Sequence, residues 1–128
     1  MAEIKEGRYP SDWLKREADS HYSREEAILV SGAGVVKTGT VLGKITASGK
    51  YKPVTVAAAD GSQNAAAILL FTTDATSADA PCVIIARDAI VNRQQLLFGA
   101  DIDTSAERTA VVNALGALNP PIIAREGA

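Results

Sequence analysis

Short apolar runs separated by turn residues fill the chain from residue 27 onward. Most of these runs contain β-branched residues, and the stretch 54–56 alternates apolar and polar positions as a half-buried strand does. The run 65–71 is almost entirely apolar, which is typical of a strand buried on both faces. The runs that predict strands are 27–30, 41–45, 54–56, 65–71, 82–86, 89–92 and 122–123.

Turn residues separate these strands and indicate where the chain reverses. Ser48-Gly49 and Asp60-Gly61 each contain a glycine that adopts positive φ at little cost. The small polar residues of 72–81 predict a surface loop. The pattern therefore predicts a compact small β domain.

One segment near the C-terminus has helical spacing. Asp103 or Thr104 can cap a helix over 105–115, whose Val111, Val112 and Leu115 share one face. Gly116 is a natural end for this helix, and the prolines that follow prevent its continuation. The predicted fold class is mainly β with one short C-terminal helix.

The first 26 residues differ from the rest of the chain, because they are rich in charge and contain few aliphatic residues. They nevertheless hold half of the chain's aromatic side chains, Tyr9, Trp13 and Tyr22. Such a segment cannot build a core of its own, but its aromatic side chains can fill pockets on a partner. Either a helical turn near 12–18, capped by Ser11, or an extended conformation fits the pattern. We therefore divide the chain into an arm, 1–26, and a β domain, 27–128.

Composition excludes several classes of function. The formal net charge is −2 in 128 residues, and no basic patch of the kind that binds nucleic acid is present. The charged N-terminus does not resemble a signal peptide, and no apolar run is long enough to span a membrane. Cys82 is the single cysteine, so an intrachain disulfide is impossible.

No constellation of residues indicates catalysis, metal binding or a cofactor. The single histidine, His21, lies in the arm, whereas Cys82 begins an apolar strand and is expected to be a buried packing residue. The glycines around Gly32 and Gly43 lack the spacing of phosphate-binding loops. We predict no catalytic residue, no metal ligand and no cofactor.

Two alternatives of other classes are kept. Lys44, within a glycine-bounded β segment, superficially resembles the modified lysine of a biotin or lipoate carrier domain, although it lacks a neighbouring methionine. A solvent-facing strand lysine is the simpler interpretation. A small oligomeric enzyme is the other alternative, and it has no candidate site.

Several segments, in this order and spacing, resemble the head decoration protein family of tailed bacteriophages, the lambda head protein D-like proteins. Each segment alone is a weak signal, but together they cover nearly the whole chain. The matching segments are Ser23-Arg24-Glu25, Gly39-Thr40-Val41-Leu42-Gly43-Lys44, Gly49-Lys50-Tyr51, Asp60-Gly61-Ser62, Ala66-Ala67-Ile68-Leu69, Val83-Ile84-Ile85-Ala86-Arg87 and 115–125.

The resemblance implies a non-enzymatic protein that cements the phage capsid. Such a protein would be made in the host bacterial cytoplasm and bind as a homotrimer to three-fold and quasi-three-fold sites on the outer surface of the expanded head. Its partner would be the major capsid protein, contacted by the N-terminal arm. The arm residues expected to make this contact are Tyr9, Trp13, Leu14, Tyr22 and Arg24.

Overall fold

The structure is a computed structural model that describes residues 10–17, 23–99, 101–118 and 120–125. Strands dominate it, with two α-helices and one 3₁₀ turn at Arg93–Gln95. The helices are α1 Pro10–Trp13 and α2 Ser105–Gly116. The strands are β1 Leu14–Glu17, β2 Arg24–Leu29, β3 Gly34–Val36, β4 Val41–Lys44, β5 Tyr51–Pro53, β6 Ala65–Leu69, β7 Thr73–Ala75, β8 Ala80–Ile85, β9 Ala89–Asn92 and β10 Ile122–Arg125.

Five strands close into a barrel in the order β2-β5-β4-β6-β8. Strand β6 lies between β4 and β8 and is buried on both faces, as its apolar sequence predicts. Ala67 and Leu69 point into one apolar cluster, together with Leu42 and Ile84. Ile68, from the opposite face of the strand, belongs to a second cluster. The barrel wall therefore separates two packed cores.

The second core lies between the barrel and an outer layer. This layer contains a three-stranded sheet, β1-β9-β10, with β1 antiparallel and β10 parallel to β9, and the helix α2, which contacts β6 and β10. Val91 and Ile122 of the sheet and Leu115 of α2 are fully buried there. Strands β3 and β7 form a separate antiparallel pair.

The helix α2 confirms the prediction from its sequence. Thr104 is the N-cap, and its hydroxyl accepts from the Glu107 backbone N–H at 3.2 Å. The Glu107 carboxylate accepts in turn from the Thr104 backbone N–H at 3.2 Å, which completes a capping box. Val111, Val112 and Leu115 are the buried residues, so one face of the helix supplies its packing, as predicted.

Three predictions about local structure need correction. Strand β5 ends at Pro53, and Val56 lies in a turn with half of its surface exposed, so 54–56 is not a strand. The segment 72–81 is not only a loop, since it contains β7 and the start of β8. Strand β1 lies inside the predicted arm and β2 starts in it, at Arg24. Helix α1 starts at Pro10, so Ser11 lies within the helix rather than before it.

Candidate functional site

The N-terminal segment is attached to the domain by Trp13. Its side chain is fully buried in the core between the barrel and the outer layer. The indole Nε1 donates to Thr38 Oγ1 at 2.9 Å, and that hydroxyl donates to the carbonyl oxygen of Leu70 at 2.5 Å. Each donor in this series of hydrogen bonds has an acceptor, so burying the indole ring leaves no unsatisfied donor.

This position corrects the expectation that the arm stays outside the core. The indole is the largest apolar side chain of the N-terminal segment, and the domain itself offers it a pocket with a hydroxyl at the right distance. Burial of a tryptophan ring removes a large apolar area from water. Trp13 therefore holds α1 and β1 on the domain and does not project toward a partner.

Two further arm residues also make contacts within the protein. Leu14 is partly buried and packs against the same core as Trp13. The Arg24 guanidinium donates to both oxygens of Glu17, with Nε 2.9 Å from Oε2 and Nη2 2.6 Å from Oε1. These hydrogen bonds raise the pKa of Arg24. They also link the last residue of β1, Glu17, to the first residue of β2, Arg24. Tyr9 and Tyr22, the remaining predicted contact residues, lie outside the described residues.

A buried serine positions the turn next to β1. Ser23 Oγ donates to the carbonyl oxygen of Asp88 at 2.7 Å, and the Ser23 carbonyl accepts from the Ala86 backbone N–H at 2.8 Å. Asp88 has a φ of 49° and lies in the bend between β8 and β9. The exposed Asp88 side chain consequently lies at the rim of the three-stranded sheet.

The outer face of the three-stranded sheet is an open, amphipathic surface. Arg16 pairs with Ile90, and Ile90 pairs with Ile123, so these three side chains form a row across the sheet. They border a groove of about 370 Å³ that also includes Asp88 and Pro121. Ile123 is 40% exposed. We call this surface, defined by Arg16, Ile90, Ile123 and Arg125, the outer sheet face.

Two unpaired arginine side chains and two uncovered strand edges make this face suitable for binding a partner. Arg16 and Arg125 are exposed, and neither guanidinium group has an ion-pair or hydrogen-bond partner within the described ranges. Strands β1 and β10 are the two edges of the sheet, and no described strand covers either edge. Uncovered edges present backbone donors and acceptors to which an extended chain can add.

The residues considered for chemistry do not converge. Cys82 is only 7% exposed, and its burial raises the pKa of the thiol, which disfavours the thiolate; this confirms it as a packing residue. Lys44 lies exposed at the end of β4, with its Nζ 6.0 Å from the centre of the Tyr51 ring. Among the described residues, no group of three His, Cys, Asp or Glu side chains could hold a metal ion. His21 lies outside the described residues.

Within the described residues, no helix is long and apolar enough to cross a membrane.

Comparison with known families shows which family the chain belongs to. Residues 3–120 match the family model of bacteriophage lambda head decoration protein D, which covers most of the chain. The chain belongs to this family. It is a phage head decoration protein, a structural protein of the virion, and the resemblance found in its sequence is confirmed. No curated protein matched it.

The features that sequence reasoning missed in this decoration protein are long-range ones. Thr38 lies 25 residues from the tryptophan that it binds, and Ser23 lies 65 residues from Asp88. The pairing of β1 with β9 was also missed, because β1 has the sequence Leu-Lys-Arg-Glu with only one apolar residue. An isolated tryptophan in a polar segment indicates that the ring is buried somewhere. It does not show whether the pocket belongs to the same chain or to a partner.

Proposed function

We propose that this decoration protein binds the outer surface of the expanded phage head as a homotrimer, at three-fold and quasi-three-fold positions, and stabilises the shell. It is synthesised in the host bacterial cytoplasm and added to heads after they expand. The family match carries this proposal. Stabilisation requires no chemistry, because each bound trimer bridges neighbouring capsid subunits and three linked contacts give avidity.

The partner in this proposal is the major capsid protein, and the N-terminal region makes the contact. The burial of Trp13 supports a division of this region into two parts with different roles. Residues 10–17 hold the segment in place, while residues 1–9, which precede α1 in the sequence, remain candidates for the contact, with Tyr9 among them. Tyr22 is kept as a second candidate, and Arg24 supports the contact through its ion pair with Glu17.

The outer sheet face supports this assignment because it adjoins the same segment. Arg16 on β1 and Arg125 on β10 are charged side chains without described partners, and Ile90 and Ile123 lie between them as an apolar strip. A capsid segment that is extended, with an apolar residue and acidic neighbours, complements this surface. The edges of the sheet add backbone hydrogen bonds to the contact.

Cosedimentation with purified expanded heads that lack decoration protein tests the proposal. We expect saturable binding in multiples of three copies, and heads that resist heating better once they are covered. Arg16→Glu should weaken binding by about tenfold or more at low salt, since it places a carboxylate against an acidic partner. Asp103→Lys, an exposed charge reversal next to α2, serves as the matched control. Failure of the wild-type protein to bind heads would overturn the proposal.

A further inference from the structure

One end of the β2–β8 pair carries an apolar groove that the outer layer leaves uncovered. Its principal lining residues are Glu26, Ala27, Ile28, Pro81 and Val83, and its volume is about 390 Å³. Ile28 pairs with Pro81 and Glu26 pairs with Val83, so these four side chains share one surface of the barrel. Ile28 is 39% exposed. We call this surface the β2–β8 groove.

A second apolar surface lies beside β3. It includes Val35, Lys37, Pro53 and Phe98 and encloses a groove of about 270 Å³. Val35 is 60% exposed, the most of any large apolar side chain in the described residues. We call this surface the β3 ridge, because Val35 projects from it.

The two surfaces carry opposite charges that nothing in the described chain neutralises. Glu26 borders the β2–β8 groove and Lys37 borders the β3 ridge, and neither side chain has an ion-pair or hydrogen-bond partner among the described residues. Neighbouring charges of the barrel are paired, as Lys50 with Asp79 and Arg87 with Glu25 show. Glu26 and Lys37 are thus unpaired, opposite charges, and each lies beside an exposed apolar side chain, Ile28 and Val35 respectively.

A ring of three identical chains requires two different surfaces on each chain, one for each neighbour. We infer that the β2–β8 groove of one protomer receives the β3 ridge of the next, with Val35 against Ile28 and Pro81, and with Lys37 facing Glu26. This inference rests on the proposed trimer and names its contacts. The occupant of both surfaces is a second copy of this chain, because the charges beside them are opposite and each surface exposes a large apolar side chain.

Charge reversal tests the pairing. Glu26→Lys alone and Lys37→Glu alone each create three like-charge contacts per trimer, so each should raise the protein concentration at half dissociation by about tenfold or more at low salt. The double variant restores opposite charges in exchanged positions and should regain most of the wild-type association. Sedimentation equilibrium at several salt concentrations measures all three. Both residues are exposed, and circular dichroism with thermal melting checks that each variant is folded.

A second variant examines the apolar part of the contact. Val35→Ser should weaken the trimer, whereas Val56→Ser, at a valine that is 51% exposed outside both surfaces, should not. Asp103→Lys, an exposed charge reversal next to α2 and outside both surfaces, is the charge control and should leave the trimer unchanged.

The outcomes separate this inference from the proposed function. A wild-type trimer that neither single reversal weakens would overturn the inference while leaving the trimer intact. Reversals that reduce head binding without changing the mass of the free protein would also overturn it, since the surfaces would then face the capsid. A wild-type protein that remains monomeric at all concentrations and on heads would contradict the trimer and the inference together.

Discussion

The backbone of Ser62 lies so close to Gly43 that no side chain can be accommodated between them. A Cβ on Gly43 would overlap the carbonyl group and Cα of Ser62, which are all backbone atoms. Ser62 cannot move aside easily, because it is fully buried and its hydroxyl and backbone N–H both donate to Asp60 Oδ1, at 2.5 and 3.0 Å. The turn at Asp60-Gly61 is thus packed directly onto strand β4.

This contact predicts that Gly43→Ala destabilises the protein. The added methyl group must displace backbone, and overpacking of this kind costs about 1–3 kcal/mol in the free energy of unfolding. Gly116→Ala is the matched control: nothing lies within 4 Å of a Cβ at the end of α2, and alanine favours helix. Urea denaturation of both variants measures the difference. Equal stability of the two would show that the Ser62 turn can move.

Trp13→Ala should destabilise the free protein strongly. Removing a fully buried indole costs about 3–5 kcal/mol, and it also removes the hydrogen bond from Trp13 Nε1 to Thr38 Oγ1. Thermal unfolding of the isolated decoration protein measures this effect without a capsid, and Val56→Ala, at a half-exposed valine, is the control. A Trp13→Ala protein that is as stable as wild type but fails to bind heads would restore the role of Trp13 as an anchor on the partner.

The two tryptophan interpretations show where sequence reasoning succeeds and where it stops. Periodicity and capping residues act over a few positions, and they predict β6 and the Thr104-capped α2 correctly. The pocket that holds Trp13 is built by Thr38 and Leu70, which are distant in the chain and adjacent only after the barrel closes. The pairing of β1 with β9 is also a contact between distant parts of the chain, so the local sequence of β1 does not predict it.

The candidate surfaces depend even more on tertiary structure. Arg16, Ile90 and Ile123 lie on three separate strands, and only the register of β1-β9-β10 places them in a row. Their sequence neighbours show nothing unusual, so no local pattern predicts the outer sheet face. The family, in contrast, is recognisable from the order of short segments, because the turns and strands that these segments form are local features.

Stability should depend on Asp60 in acid. Hydrogen bonds from the Ser62 hydroxyl and backbone lower the pKa of Asp60 from 3.8 to about 2, with Lys52 adding an ion pair at 3.3 Å. A carboxyl whose pKa is lower in the folded state contributes stability that is complete above the unfolded pKa, near 3.8, and is lost as the pH falls toward 2.

Comparison with Asp60→Asn measures this contribution, since the amide keeps an acceptor but does not titrate. Urea denaturation at a series of pH values should show wild type more stable than the variant at pH 5, with the difference shrinking between about pH 4 and 2. Asp74→Asn offers a comparison at another carboxyl whose pKa is lowered, in its case by Thr76. A stability difference that does not change with pH would show that the Asp60 charge is not involved.

Two N-terminal deletions should have different consequences. Removal of residues 1–9 leaves α1, β1 and the buried Trp13 in place, so we expect a protein with wild-type thermal stability. Removal of residues 1–22 also deletes Trp13 and the edge strand β1, and it breaks the Glu17–Arg24 ion pair. That variant should melt at a markedly lower temperature or fail to fold, because a large hole would open in the core.

Binding to heads then distinguishes the residues that contact the capsid from those that only attach the N-terminal segment to the domain. The protein lacking residues 1–9 should bind expanded heads at least about tenfold more weakly, since each trimer would lose three linked contacts. A variant with Tyr9→Ala alone shows how much of this loss belongs to that ring, and Arg16→Glu in the full chain reports on the outer sheet face. If the shortened protein binds heads as tightly as wild type while Arg16→Glu does not, the folded domain alone makes the capsid contact. If neither change weakens binding, both parts of the proposed contact are wrong, and the surface must lie elsewhere on the barrel.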